Sequence, residues 1–121
     1  MLVNKNIILE ILNSSFSKEI ESTIIDTVMD MDSYDLEEYF QDEVDYASLN
    51  SINDIHIENY EIDEEEQMVS GELTVMVSID GYVYINGETL CTNSCDIQLG
   101  FIYQFSADGE TYSDLELEHI Y

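Results

Sequence analysis

The chain has 121 residues, of which 28 are Asp or Glu and only 2, Lys5 and Lys18, are cationic, for a formal net charge of -26. With 45% apolar residues it belongs among folded proteins and not among disordered acidic tails, and its length suits a single domain over 1–121. Direct binding of nucleic acid or of phosphate substrates is excluded, because beyond Lys18 nothing in the chain can meet their charge. Unpaired carboxylates repel one another over roughly 8 Å at physiological salt, so stability is expected to rise with added salt. Solubility alone asks for a net charge of only about 2 to 8 in a small domain. The surplus points to a basic partner, and self-repulsion favours a monomer. The opening MLVNKNIILEILNSS is too charged, and its apolar run too short, for a signal peptide or a membrane span, so a cytoplasmic protein without membrane contact is expected.

In chain order, the first half reads as helical, over about 3–46. Val3, Ile7, Ile8, Ile11 and Leu12 predict a helix over 3–12 that stops at Asn13-Ser14-Ser15. A second runs from Ser17, as N-cap, to Met31, with Ile20, Ile24, Val28 and Met31 on one face. A third begins at Asp32 or Ser33 and sets Leu36, Tyr39, Phe40 and Val44 against a face of Asp35, Glu37, Glu38, Asp42, Glu43 and Asp45. Acid at its C-terminal end opposes the helix dipole, and Glu38 with Asp42 is a like-charge pair four residues apart.

The second half, about 52–121, reads as strands. Ile55 and Ile57 alternate with polar residues, as do Val69, Leu73, Val75, Val77 and Ile79. Asp80-Gly81 permits a turn or bulge, and Asn86-Gly87 signals a hairpin. Residues 88–94 carry no readable pattern. Cys95, Ile97, Leu99, Phe101, Tyr103 and Phe105 form one apolar face, followed by a turn at Asp108-Gly109 and a last strand with Leu115 and Leu117 inward. A bulged three-residue turn is expected there, since it pairs Tyr103 with Leu115 and Phe101 with Leu117, whereas a strict two-residue loop would set acid against the aromatics. The fold class is therefore α+β, with two to three N-terminal helices packed on an antiparallel sheet of four to five strands.

Known chemistries are mostly eliminated. The segment from Asp30 starts like an EF-hand loop but has Asp35 where glycine is needed and Gln41 where a bidentate Glu belongs. Cys91 and Cys95 lie far in sequence from His56 and His119, so a zinc site is not expected, and a local disulfide requires an oxidising compartment. No nucleophile context, phosphate loop or metalloprotease pattern is present, so neither enzyme activity nor a cofactor is expected. Weak calcium or magnesium binding by clustered carboxylates is one alternative reading.

The acid itself remains. Two blocks stand out as partner-binding candidates: Asp30, Asp32, Asp35, Glu37, Glu38, Asp42, Glu43 and Asp45, and then Glu61, Asp63, Glu64, Glu65 and Glu66. Asp114, Glu116 and Glu118 form a secondary stripe whose neighbours are about 6.6 Å apart, close to two steps of the ~3.4 Å per-strand charge spacing of duplex DNA. Tyr34, Tyr39, Tyr46 and Tyr60 lie among the acids as possible interface anchors. In size, in the scarcity of Lys and Arg, and in the blocks DMDSYDLEEYFQDEVDY and ENYEIDEEEQ, the chain resembles the phage-encoded DNA-mimic inhibitors, anti-CRISPR proteins among them. That resemblance implies a stoichiometric inhibitor, in the host cytoplasm, that occupies the basic nucleic-acid-binding cleft of a CRISPR or other defence nuclease. The other alternative reading is an immunity protein or antitoxin that neutralises a basic toxin.

Overall fold

A computed structural model of the chain describes residues 4–40, 44–109 and 111–121. Helices α1 (Lys5–Ser15) and α2 (Ser17–Met29) and the short turn α3 (Ser33–Leu36) precede five antiparallel strands, β1 (Tyr46–Ile57), β2 (Glu61–Asp63), β3 (Met68–Ile85), β4 (Glu88–Asp108) and β5 (Thr111–His119). The sheet order is β1-β3-β4-β5, and β2 pairs with β3 beyond the end of β1.

The expected α+β layering, a helical first half set on a sheet, is overturned. Among the described residues 55% are strand and 25% helix, so the molecule is mostly sheet. Two causes are visible. The third helix ends at Leu36, after a capping box between Asp32 and Asp35. The acids that follow have no Lys or Arg to offset them at a helix C-terminus, where the dipole already disfavours negative charge. Leu36, Phe40 and Val44 are buried all the same. The sheet also begins earlier than expected, at Tyr46, because β1 hides its alternation behind bulges at Leu49/Ser51 and Ile52/Asp54. Val3 of the first predicted helix lies outside the described residues, as do Asp42 and Glu43. The first helix runs through Asn13-Ser14-Ser15 and is capped by the Asn4 side chain on the Ile7 N–H; the second is preceded by Phe16, and not Ser17, at the N-cap position.

One face of the sheet holds the core. Val69, Leu73, Val75, Val77 and Ile79 of β3 and Ile97, Leu99, Phe101, Tyr103 and Phe105 of β4 pack with Ile8, Leu12, Ile20, Ile24 and Val28 of the helices. Each fully buried large side chain of this set contributes roughly 1.5 to 3 kcal/mol. Two glycines permit close approaches on this side of the sheet. A Cβ at Gly81 would meet the Phe40 ring and Val44 at 3.0 Å, and one at Gly71 would collide with the Asn59 carbonyl, to which the Tyr103 hydroxyl donates at 2.9 Å.

The β3–β4 hairpin closes at Asn86-Gly87, both with positive φ (53° and 80°) as a two-residue turn of this kind requires. The segment without a readable pattern, 88–94, is strand, because it pairs with β3 through a bulge opposite Gly81/Tyr82. The register expected for the last hairpin is corrected: Tyr103 pairs with Leu117 and Phe101 with His119. The extra residue sits inside β5 and not in the turn. Asp114 takes φ 57°, and two β5 residues oppose Phe105 alone, which keeps the leucines on the aromatic face.

Candidate functional site: the open face of the sheet

Because side chains alternate along each strand, the face opposite the core carries the remaining residues, and among the described residues no helix covers it. Directly paired residues share a face, so the register reads as rows across the sheet. One row is Glu61, Ser70, Gln104 and Glu116, spanning β2, β3, β4 and β5; the next is Glu72, Ile102 and Glu118. Glu61 and Glu116 thus stand about 14 Å apart, three strand spacings of roughly 4.8 Å. Glu61 and Asp63 on β2 and Glu116 and Glu118 on β5 form two acid columns, each stepping by about 6.6 Å. An open depression of about 620 Å³ lies against the first, lined by Glu61, Asp63, Glu64 and Glu65 with Ser70 and Gln104 at its floor. The turn after β2 is shaped by Asp63, whose side chain accepts from the Glu66 N–H at 3.1 Å, and by Gln67 at φ 55°.

The structure joins some of the predicted acids and separates others. Glu61 and Asp63 share the open face with Glu116 and Glu118, Glu64 and Glu65 line the depression beside the first column, and Glu66 follows in the turn. Asp114 leaves the stripe, since it is the bulge residue. Of the first block, Asp30, Asp32, Asp35, Glu37 and Glu38 lie on the helical side. Asp30 and Asp35 line a shallow depression with His119, whose ring packs on Phe101 on the core side at 5.4 Å between centroids. Asp32 and Asp35 are engaged in the capping box, Glu37 and Glu38 follow on the exposed turn, and Asp45 accepts from the Tyr84 N–H at 2.8 Å. Asp30, Asp32, Asp35, Glu37 and Glu38 are therefore on a different surface from the second block, while Asp45 borders the open face. Of the four tyrosines, Tyr39 and Tyr60 pack against the core, Tyr34 is exposed on the helical side, and Tyr46 stands on the open face.

Sequence reasoning passed over Glu72, Asp80 and Asp96, which share the open face. Their signal was their place on the polar side of an alternating strand, where they look like ordinary solvated residues. Asp80 accepts from Asn50 at 3.0 Å and from the Ser94 hydroxyl. Asp96 accepts from Ser78, which in turn accepts from Asn53 at 2.8 Å. Among the described residues the one ion pair is His56 with Glu58, at 3.9 Å. Both cations, Lys5 and Lys18, sit on helices, so β1 to β5 carry neither Lys nor Arg.

Beneath the Glu116 end, burial, and after it the neighbouring Tyr60, push the Tyr103 hydroxyl up to about 12. Burial, then Asp96, pushes the Cys95 thiol up. Cys91 and Cys95 are free, and four residues along one strand is about 13 Å, well past the ~7 Å that a disulfide spans between Cα atoms. Among the described residues no group of three or more His, Cys, Asp or Glu is placed to hold a metal ion, and no helix is long and apolar enough to cross a membrane. No protein-family model matches the chain, and no curated protein or solved structure matches it.

Proposed function

We propose that the protein is a non-enzymatic inhibitor that presents the open face of its sheet to the basic nucleic-acid-binding cleft of a defence nuclease, in the manner of a DNA mimic such as an anti-CRISPR protein. The observation that carries this reading is the pair of acid columns on a face that, among the described residues, has no helix over it and no Lys or Arg in it. Glu61, Glu72, Glu116 and Glu118 make no side-chain hydrogen bond or ion pair among the described residues, so their charge is available to Lys and Arg of a partner. Their ~6.6 Å step is close to two phosphate steps along one strand. A field of this sign over one face draws a basic cleft in quickly, and salt weakens the attraction.

The test is capture from a host lysate at about physiological ionic strength, followed by a duplex-binding assay on whatever is recovered. A DNA-binding protein that loses its duplex when captured supports the reading, and reversing Glu61, Glu116 and Glu118 to lysine then releases it. A captured partner that still binds DNA normally overturns the reading. A basic toxin blocked away from any nucleic-acid groove would mark an immunity protein instead.

A further inference from the structure

Away from the acid columns, the open face carries an aromatic platform. Tyr46 of β1 and Tyr82 of β3 are paired across the strands, with ring centroids 5.1 Å apart and planes 13° from parallel. They lie on the uncovered face, where no core accounts for them. Tyr46 is 39% exposed, and Tyr84, on the same side of β3, is 65% exposed. Asp80 stands on that face about 6.6 Å before Tyr82, and Asp45 borders it through its bond to the Tyr84 N–H. Both carboxylates are oriented by neutral donors, and a carboxylate offers about four acceptor positions, so each retains capacity for a further donor.

We infer that this platform receives an arginine side chain of the basic partner. A planar guanidinium lies flat on a tyrosine ring while its forked N–H groups reach a carboxylate; an ammonium is compact, strongly hydrated and unable to fork. Charge fixes the choice of occupant. An anionic ligand meets no Lys or Arg on any strand, and a second copy brings its own -26. The inference deepens the inhibitor reading and rests on it for the partner, but arginine recognition is tested on the chain alone.

The full chain is titrated with hexaarginine and with hexalysine by calorimetry at about physiological ionic strength, with tyrosine ring resonances followed by NMR. Hexaarginine is expected to bind about three- to fivefold more tightly, with the largest shifts at Tyr46 and Tyr82. The double variant Tyr46→Leu/Tyr82→Leu loses at least about half of that preference and keeps its hexalysine affinity, whereas Tyr82→Phe, which retains the ring, keeps both. Glu61→Gln with Glu116→Gln and Glu118→Gln weakens both peptides together and leaves the preference intact. Equal affinities in the wild type overturn the platform, as does a preference unchanged by the leucines. Should the double variant not hold its fold, Tyr82→Leu alone and the wild-type shift map decide, and Tyr46 and Tyr82 rings left unshifted on hexaarginine binding overturn the inference. The inhibitor reading stands or falls separately, on capture and duplex release.

Discussion

At the Asp80 end of the open face the carboxylates have neutral donors to lean on: Asn50 and Ser94 for Asp80, Ser78 for Asp96, the Tyr84 N–H for Asp45. At the Glu116 end, Glu61, Glu72, Glu116 and Glu118 have none among the described residues, and the strands beneath them are held from the core side, where the Tyr103 hydroxyl grips the Asn59 carbonyl. The difference shows how a chain without Lys or Arg in its sheet still orders acidic strands. Hydroxyl and amide side chains take the place that cations hold elsewhere, and they do so where structure needs it. Where they are missing, the negative charge stays on the surface and adds nothing to the fold.

The largest test of this contrast is at Tyr103. Its folded-state pKa lies above the ordinary value of 10.0, so the native state holds the proton more tightly. The stabilisation is complete below pH 10.0 and is lost as pH rises through about 12. On the order of 2 to 3 kcal/mol is at stake, at 1.36 kcal/mol per pH unit. Tyr103→Phe should cost about 1 kcal/mol at neutral pH, from the lost bond to Asn59, and should flatten this alkaline decline in denaturant titrations. A variant whose alkaline decline matches the wild type would mean that the Glu116 end is not held by that hydroxyl.

A smaller effect separates the two ends directly. Asp80→Ala is expected to lose about 1 kcal/mol in urea unfolding, because Asn50 and Ser94 lose their acceptor. Glu116→Gln should gain a few tenths of a kcal/mol by removing repulsion and breaking nothing. Equal losses at the two sites would erase the contrast. The smallest effect is in the salt response. Stability should rise with sodium chloride in the wild type, and the rise should shrink more in the variant that combines Glu61→Gln, Glu116→Gln and Glu118→Gln than in Asp80→Asn, as read from melting temperatures across a salt series.

Much of the sheet was legible because burial imposes period two on β3 and on the second half of β4, and Asn86-Gly87 announced its own turn. Residues 88–94 were opaque because they belong to the part of the hairpin beyond the core, where Tyr84, Ile85 and Leu90 are exposed and no buried face enforces alternation. β1 was obscured by its two bulges. The third helix was overextended because Leu36, Phe40 and Val44 keep helical spacing while the acids between them remove its electrostatic support. The acids of the two columns could be named from sequence, but Glu72 between them and the sorting of the acids onto two surfaces could not. That sorting depends on the register of the β2–β3 and β4–β5 hairpins and on which face of the sheet the helices pack against, and the charge pattern encodes neither.

The bulge at Asp114 has a consequence for length changes in the gene. Without it, Asp114 would oppose Phe105 and Glu116 would oppose Tyr103, turning the carboxylates inward. Deleting Asp114 itself gives a regular ladder in which Leu115 faces Phe105 while Glu116 and Leu117 keep their partners Gln104 and Tyr103. A one-codon deletion is thus silent at that position, whereas an added codon between Leu115 and Leu117 inverts the inside and outside of part of the strand.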